Sequence, residues 1–484
     1  MYSIYLLFGV YFLVMLGIFL YSIGVLDVLL SYFLKPTNAD RKTWTDWPTV
    51  TIQLPVFNEK YVVEDLIDAI AQLDYPWEKL EVQLLDDSTD ESFAIGTKKV
   101  AHWQAKGFPI EQIQRDQRTG FKAGALAYGL EHSKGEFVAI FDADFDPHPS
   151  FLKEALSYFT NPEIGVVQTR WGHKNRRDSF LTRMQALGLD MHFSVEQGGR
   201  NKGKHLINFN GTAGVWRRNC VLDAGSWSSD TLTEDLDLSY RVQLKGWKFR
   251  YIEHIEAPAE LPVSIEALKS QQHRWTKGAA ECSLKNSRQL WSSTLSLRTK
   301  LHGTLHLFNS SIYILILAAA FLSIPIMTVM LYHPELREFV HWGMVFLFSF
   351  AVFFIAYSIP YFKFYPRELW RYPIDFLAFL SVSMGLSIHN GRAVIEAWRG
   401  KKSAFIRTPK LKLTHSALWQ GNAYLKYKQH GLVFVELLFG LLFTAGVVVG
   451  IWCEFYGFVL LHSMLAFGFL FVTFTTLNHR VAVH

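Results

Sequence analysis

The chain has 484 residues, a length that would suit about three soluble domains. Its composition argues against that, because 50% of the residues are hydrophobic, 15% are aromatic and only 19% are charged, whereas soluble domains carry about 25% charged residues. A net charge of +5 over this length is too small to indicate a nucleic-acid-binding protein. We therefore expect an integral membrane protein with a large soluble part, in contact with membrane lipid and without a nucleic-acid partner.

The N-terminal segment, residues 1–34, carries a single charge, Asp27, and three basic residues follow it at Lys35, Arg41 and Lys42. It is too long for the apolar core of a signal peptide and predicts one membrane helix. Because the basic residues lie after the helix and none lies before it, the positive-inside rule places the N-terminus outside and the next segment in the cytoplasm.

Residues 45–262 alternate between short β-rich runs and helical patterns, which is typical of a parallel α/β sheet. We expect strands at 50–57, 82–86, 137–142 and 164–169, and helices at 62–73, 91–106 and 151–159. Ligands of such sheets bind at the carboxyl ends of the strands, and the residues there are unusually acidic.

Residues 263–300 have an amphipathic pattern that predicts interfacial helices, and residues 301–484 contain long apolar runs. We expect four spanning helices there, at 307–331, 342–361, 432–453 and 458–477. A further apolar stretch within 368–398 is assigned to the interface, because a spanning helix there would put the basic loop 399–428 outside. The prediction is five spanning helices with the C-terminus inside.

The three cysteines, Cys220, Cys282 and Cys453, lie far apart, and no Cys or His occurs at the spacing of a metal-binding motif. That arrangement excludes a disulfide framework and a zinc ribbon. We expect all three thiols to be reduced and structural.

Acidic residues follow two of the expected strands: Asp86 and Asp87 follow one, and Asp142 and Asp144 follow the other. Carboxylates gathered at one sheet edge repel each other unless a cation lies between them, and hard oxygen ligands favour Mg²⁺ or Mn²⁺. Such a metal would bridge to a diphosphate and neutralise the charge on it as it leaves. Either acidic pair alone is equally well explained as a turn or a helix cap.

Two further segments carry polar residues suited to the same chemistry. Lys122 offers a cation to a diphosphate or to an acidic partner, and taken alone it is typical of a solvated helix residue. Glu234 and Asp235 begin a helix for which Thr233 is a plausible N-cap. Capping explains one or two residues of that segment but not all of its carboxylates, so one carboxylate is a candidate general base for a sugar hydroxyl.

The interfacial region contains Gln271, Arg274 and Trp275 in the pattern Gln-x-x-Arg-Trp. The Arg274 guanidinium can bind a diphosphate through two hydrogen bonds, Gln271 can hydrogen-bond a sugar or phosphate, and the Trp275 indole can stack on a sugar ring. An Arg-Trp pair at a membrane surface is also a common interfacial anchor.

The order Asp-Asp, Asp-x-Asp, Thr-Glu-Asp, Gln-x-x-Arg-Trp resembles the processive family 2 glycosyltransferases of the cellulose, chitin and hyaluronan synthase group. Longer strings extend the resemblance: Gln-Leu-Pro-Val-Phe-Asn-Glu at 53–59, Leu-Asp-Asp-Ser-Thr-Asp at 85–90, Ile-Phe-Asp-Ala-Asp-Phe at 140–145, and Phe-Asn-Gly-Thr-Ala-Gly at 209–214. In the residues of these motifs, the segment 48–285 looks most like the plant cellulose-synthase-like A and C families, which make β-mannan and β-glucan backbones.

The resemblance implies a GT-A nucleotide-diphospho-sugar transferase domain inserted between membrane helices, and an inverting, processive enzyme that extends and translocates a β-linked, β-1,4 glycan. Asp235 would be the catalytic base, with Glu234 beside it. The other implied roles are donor binding by Asp86, Asp87, Lys122, Asp142, Gln271 and Arg274, metal binding by Asp144, and acceptor binding by Trp275, Phe209, Asn210, Gly211 and Thr212.

A weaker resemblance covers the basic loop, where Phe405, Arg407, Thr408, Pro409 and Lys410 are similar to the gating loop of cellulose synthases. The alternative is an ordinary basic loop beside the membrane. Two departures matter: Phe145 stands where some cellulose synthases have a metal-binding His, and the chain ends at His484 without room for a cyclic-dinucleotide-sensing domain.

We expect UDP-glucose as the donor, with GDP-mannose as the alternative, and a plasma, inner or Golgi membrane as the location. A second enzyme hypothesis is transfer of a single sugar to a lipid acceptor, which would not require a retained polymer end. A transporter or channel would explain the helices. It would leave the acidic sheet edge without a role, and it would predict more polar residues in the spanning helices.

Overall fold

The computed structural model describes residues 2–35, 40–336, 344–408, 410, 412 and 431–481. A seven-stranded sheet forms the centre of the soluble part, in the order β3-β2-β1-β4-β6-β5-β7. The strands are β1 (Val50–Val56), β2 (Leu80–Asp86), β3 (Ile110–Ile113), β4 (Phe137–Ile140), β5 (Ile164–His173), β6 (Gly214–Arg217) and β7 (Lys248–Ala259).

The sheet is mixed, which corrects the expectation of a parallel sheet. Strands β3, β2, β1 and β4 are parallel to one another, but β6 pairs antiparallel to both β4 and β5. The sequence did not reveal β6, because it has only four residues and follows a polar loop directly. The carboxyl ends of β1, β2 and β4 still meet at one edge, and the acidic residues lie there.

Helices cover both faces of this sheet. The helices from the N-terminus to the end of the soluble part are α1 (Tyr2–Leu34), α2 (Val63–Ala71), α3 (Ser92–Gln104), α4 (Phe121–His132), α5 (Phe151–Leu156), α6 (Phe180–Met191), α7 (Gln197–Gly203), α8 (Arg218–Asp223) and α9 (Glu234–Leu244). Apolar residues of α2, α3 and α5 pack on one face, and those of α4, α8 and α9 on the other. This two-sided burial confirms the α/β class.

The remaining helices form the membrane-associated part: α10 (Ile265–Ser292), α11 (Leu297–Leu307), α12 (Ile312–Tyr332), α13 (Met344–Phe364), α14 (Tyr372–Gly385), α15 (Ser387–Trp398), α16 (Leu432–Trp452) and α17 (Tyr456–Val481). Within the described ranges, five helical segments are long and apolar enough to cross a membrane: Tyr2–Leu34, Asn309–Tyr332, Leu347–Phe364, Leu432–Trp452 and Tyr456–Asn478. The number and positions match the expected spans, and α14 and α15 are not among them.

Helix α10 is longer than expected and connects the soluble part to the membrane helices. It begins at Ser264, whose side chain accepts a hydrogen bond from the Ala267 N–H at 3.2 Å. Further along, the Lys269 ammonium lies 3.0 Å from the Glu436 carboxylate of α16 and 3.1 Å from the Thr476 hydroxyl of α17. Lys269 and Glu436 are both buried, so each charge depends on the other for its stabilisation.

Removing one member of this pair is expected to destabilise the protein strongly. The variant Glu436→Gln leaves the Lys269 ammonium buried without its carboxylate, and we expect a loss of about 3–5 kcal/mol in unfolding free energy. Thermal unfolding of the purified protein in detergent measures this loss. The double variant Lys269→Met/Glu436→Leu removes both charges and should recover most of the stability; equal loss in both variants would contradict this account.

Candidate active site

An open cavity of about 1260 Å³ lies at the carboxyl edge of β1, β2 and β4. Most of the site residues expected from the sequence line it: Asp87, Lys122, Asp142, Asp144, Asn210, Gly211, Glu234, Asp235, Gln271, Arg274, Trp275, Phe405, Arg407, Thr408 and Lys410. Residues more than 300 positions apart in the chain are thus brought to one site.

Three expected site residues do not line this cavity. Asp86 is buried, and its carboxylate accepts from the Ser88 N–H at 2.9 Å and from the Gln112 amide at 2.8 Å, so it shapes the loop after β2. Phe209 is buried against the Trp216 ring, 5.1 Å between centroids. Thr212 is also buried, and its hydroxyl accepts from the Asp142 N–H at 2.9 Å. Pro409 lies outside the described residues.

Asp87 is held by an arginine that the sequence analysis did not single out. The Arg115 guanidinium binds both Asp87 oxygens, at 3.0 and 2.5 Å, in a fork that fixes the carboxylate plane. Beside it, the Arg118 guanidinium lies 3.4 Å from the centre of the Phe57 ring and also lines the cavity. Neither arginine belongs to a recognisable motif, which is why pattern analysis missed them.

Lys122 links two of the acidic segments. Its ammonium lies 2.5 Å from an Asp142 oxygen and 3.0 Å from the Gly211 carbonyl oxygen. Burial lowers the pKa of this ammonium, but the carboxylates of Asp142 and Glu234 more than offset that effect, and the pKa of Lys122 is raised. Lys122 therefore stays charged and neutralises part of the acidic edge.

Asp235 lies in the first turn of α9, where it faces the cavity. Burial raises the pKa of Asp235 to about 7, and the neighbouring Glu234 carboxylate adds to the rise. A carboxylate with this pKa accepts a proton near neutral pH much more readily than an ordinary aspartate. Thr233 occupies the N-cap position as expected, but its side chain does not cap the helix; its hydroxyl lies 3.4 Å from the Cys282 sulfur instead.

Gly211 approaches Asp235 closely. Its φ of +81° lies in the region that favours glycine, and a Cβ built there would lie 3.1 Å from Asp235 Oδ2. The glycine therefore gives the loop its left-handed turn and leaves room for the Asp235 carboxylate.

Asp144 lies beside a cation supplied by the loop that resembles a gating loop. The Lys410 ammonium is 2.7 Å from Asp144 Oδ2 and 2.8 Å from the Glu260 carbonyl oxygen. Nearby, Arg407 forms an ion pair with the buried Glu59 carboxylate at 2.5 Å. The position next to Asp144 is thus electrostatically suited to positive charge, and the oxygen donors around it are those that Mg²⁺ or Mn²⁺ prefers.

The Gln-x-x-Arg-Trp segment forms the opposite wall. Arg274 stacks over the Phe405 ring at 4.6 Å, and its buried Nε has no hydrogen-bond partner among the described residues, so it remains available to a ligand. Phe405 also stacks on Phe121, with 6.0 Å between ring centres. The Trp275 ring lies 6.5 Å from that of Trp171, and both indoles face the cavity.

A second cavity of about 1480 Å³ continues from this site towards the membrane helices. It shares Asp235, Gln271, Trp275 and Asn210 with the first cavity. Its far wall includes Tyr313 of α12, Tyr357 of α13, and Phe379 and Ser383 of α14. A path for the product between the membrane helices was expected, but the lining residues of this cavity were not, because they come from helices distant in the chain.

The loop that carries Asn210 is fixed by a short π-helical turn, His192–Glu196, between α6 and α7. The His192 Nε2 atom lies 2.9 Å from the Asn210 side-chain amide, and its Nδ1 atom lies 2.8 Å from the Glu196 carboxylate. Gln197 donates a hydrogen bond to the Asn210 side-chain oxygen at 2.7 Å. Asn210 is therefore held in one orientation at the junction of the two cavities.

The fold and the acidic edge are those of a GT-A glycosyltransferase domain. The sequence model of the family described as "Glycosyltransferase like family 2" matches residues 48–278. The family resemblance found in the motifs is thereby confirmed. Among solved structures, the fold is similar to "Mannosyltransferase PcManGT from Pyrobaculum calidifontis in complex with GDP-Man and Mn2+", with a TM-score of 0.53, 19% identity, and coverage of 81% of this chain and 100% of the other.

Among characterised relatives, the chain is 42% identical over 249 residues to "Glucomannan 4-beta-mannosyltransferase 7" of Arabidopsis thaliana, covering 50% of this chain and 45% of the relative. It is 44% identical over 239 residues to "Glucomannan 4-beta-mannosyltransferase 1" of Oryza sativa subsp. japonica, covering 48% and 46%. The chain thus spans about half the length of the curated relatives it matches.

The close approach of Gly211 to Asp235 generates a prediction with a matched control. In Gly211→Ala the new Cβ should shift the Asp235 carboxylate by a few tenths of an ångström, and we expect a loss of about 10-fold in glycosyl transfer, because a 1 Å misplacement costs roughly 100-fold. Gly246 has a similar φ of +95°, but a Cβ there meets no atom within 4 Å. Gly246→Ala should therefore lose about 1–2 kcal/mol of stability and keep its activity.

Assays of transfer rate and thermal unfolding on both variants separate the two effects. If Gly246→Ala lost as much activity as Gly211→Ala, backbone strain alone would explain the result and the contact with Asp235 would be irrelevant.

Proposed function

We propose that the chain is a membrane-embedded, inverting, processive glycosyltransferase that extends a β-1,4-linked glycan from a nucleotide sugar. The observation that carries this proposal is the position of Asp235, at the junction of the donor-sized acidic cavity and the second cavity leading to the membrane helices. A general base at that junction can act on a polymer end in the second cavity while the donor is bound in the first. The family of the domain supports the same reaction class.

The donor we propose is GDP-mannose, the alternative considered from the sequence, in place of UDP-glucose. The support comes from the relatives, which are named as glucomannan 4-beta-mannosyltransferases. The growing product would then be a β-mannan or a glucomannan.

A divalent cation fits the charges around this site. The Lys410 ammonium lies 2.7 Å from Asp144 Oδ2, and this contact supports the assignment of that oxygen as a cation ligand. Asp144, with Asp142 next to it, would hold the metal. When bound, Mg²⁺ or Mn²⁺ would neutralise charge on the departing diphosphate.

The protein residues then have separate tasks in the proposed reaction. Arg274 and Gln271 would bind the diphosphate, and Trp275 would stack on the terminal sugar of the acceptor. Asp235 would take the proton of the acceptor hydroxyl as that oxygen attacks the anomeric carbon. The new glycosidic bond forms as the bond from that carbon to phosphate breaks, the nucleoside diphosphate leaves, and the configuration inverts.

Processivity follows from the way the acceptor end is retained. A sugar ring that stacks on the Trp275 and Trp171 indoles can be replaced by the next ring when the polymer slides by one sugar. The polymer end can therefore remain bound while the donor is replaced. We further propose that the catalytic domain is cytoplasmic and that the product leaves through the second cavity and between the membrane helices.

The test uses the purified full chain in detergent with Mg²⁺ or Mn²⁺. Radiolabelled GDP-mannose and UDP-glucose are offered separately and together, and the label in high-molecular-weight material is digested with a β-1,4-mannanase or a β-1,4-glucanase. We expect mannanase-sensitive polymer from GDP-mannose. Polymer from UDP-glucose alone would reverse the donor assignment, and label confined to lipid or short products would favour transfer of a single sugar.

The role of Asp235 predicts a specific dependence on pH. A base must be deprotonated to act, and the pKa of Asp235 is raised to about 7, so activity should rise about tenfold per pH unit below that value and level off above it. The variant Asp235→Asn should bind the donor as the wild type does and lose about 100- to 10,000-fold in turnover.

Turnover is measured as nucleoside diphosphate release from about pH 5.5 to about pH 9, a range that spans the expected midpoint, and donor binding is measured by calorimetry. The control is Glu131→Gln, which removes an exposed carboxylate of α4 and should leave both quantities unchanged. Near-normal synthesis by Asp235→Asn would show that another group is the base.

A further inference from the structure

A second cluster of chemically active side chains lies away from the active site, where α1 meets α11. Asp27 is the one charged residue among residues 2–34, and its carboxylate accepts hydrogen bonds from Arg298 of α11 at 2.6 and 2.9 Å. A charge in an otherwise apolar helix is costly and calls for specific partners.

Two imidazoles converge on the same carboxylate. The Nε2 atom of His302, in α11, lies 2.6 Å from Asp27 Oδ2, and the Nε2 atom of His205, in the loop after α7, lies 3.4 Å from that same oxygen. One possible ligand atom from each of the three residues lies within 4.8 Å of the others. The two rings lie face to face, with centroids 3.8 Å apart.

His205 has a buried imidazole that lacks hydrogen-bond partners in the described part of the chain. Its side chain is only 6% exposed, yet neither ring nitrogen has a hydrogen-bond partner among the described residues. A buried polar group without a partner is destabilising, so a ligand at this position would be favoured.

We propose that Asp27, His205 and His302 bind one zinc ion that joins α1 to α11 and to the loop after α7. Two imidazole nitrogens and one carboxylate oxygen suit zinc better than the harder cations Mg²⁺ and Mn²⁺. Tetrahedral zinc with bonds of about 2.0–2.1 Å separates its ligand atoms by about 3.3 Å. The 3.4 Å between His205 and Asp27 matches this spacing, and binding requires His302 and Asp27 to move apart by less than about 1 Å.

The surroundings support such a site. Arg298 holds the Asp27 carboxylate as an outer-shell hydrogen-bond donor, the arrangement that commonly orients metal-binding carboxylates. A cavity of about 330 Å³ borders His302. The site is separate from Asp144 and does not depend on the proposed glycosyl transfer.

The experiment uses the full chain, purified through a tag that contains no histidine, and incubated with zinc in excess Mg²⁺ so that carboxylate-only sites are occupied. After removal of free metal, elemental analysis should find about one zinc per chain. His205→Gln and His302→Gln should each lower this to below about a tenth of the wild-type content. The control, His102→Gln, removes an exposed histidine elsewhere and should keep the zinc.

Cobalt provides a second measurement, on the wild-type chain, in case a variant folds poorly. Co²⁺ in this site should give the visible absorption bands of a tetrahedral complex, and His302→Cys should keep the metal and add a thiolate-to-cobalt band. Wild-type protein without zinc and without these bands would overturn the proposal and leave the three residues as an ion-pair cluster. Zinc retained in both glutamine variants would also overturn it, because the metal would then bind elsewhere.

Discussion

The crowding of carboxylates at one edge of the sheet is the constraint on which the rest of the site depends. Carboxylates this close cannot all stay charged in a buried place unless each has a cation nearby. Three of them have one: Asp87 with Arg115, Asp142 with Lys122, and Asp144 with Lys410. Asp235 has no ion pair with any residue that the structure describes, and burial raises its pKa to about 7. Burial also raises the pKa of Glu59 to about 8, although Arg407 forms an ion pair with it. Burial as well as the distribution of cations therefore sets which carboxylates can exchange a proton near neutral pH, and of these two Asp235 lies at the junction of the two cavities.

Helix α10 links this edge to the membrane. At Gly278 a Cβ would lie 2.5 Å from the Thr233 side chain, so only glycine lets α10 pack directly against Thr233, the residue before α9. Nearer the N-terminus of α10, Lys269 is bound to Glu436 in α16. Arg274 and Trp275 lie between these two attachment points, and their positions relative to Asp235 are fixed from both sides. A shift of a membrane helix would therefore be transmitted to the wall of the cavity.

Much of this arrangement was predictable from the sequence, for identifiable reasons. Motifs such as Asp142-Ala143-Asp144 combine a strand end with a compact set of acidic residues, and both signals are local. The five spans follow from runs of apolar residues, which are equally local. The prediction of a wholly parallel sheet was wrong because β6 is too short to show the alternation of apolar and polar residues that marks a strand. Asp86 and Asp87 are adjacent in sequence, but only the folded loop determines that Asp87 faces the cavity and Asp86 faces the protein.

The features that the sequence could not reveal are those made by residues distant in the chain. Arg115 meets Asp87 only because β3 lies beside β2, and His205 meets Asp27 only because the loop after α7 lies beside α1.

The second cavity, which we propose as the polymer path, borders a membrane region with few polar residues. Among the described residues, the spanning segments contribute Asn309, Tyr313 and Tyr357 to its wall, and the other polar groups come from the catalytic domain and the interfacial helices. Tyrosine combines a flat face for a sugar ring with a hydroxyl for hydrogen bonding, so little polarity is needed from the spans themselves. The low polar content that argued against a transporter is therefore compatible with a polymer path, because the residues that would bind the sugar lie mainly outside the spanning segments.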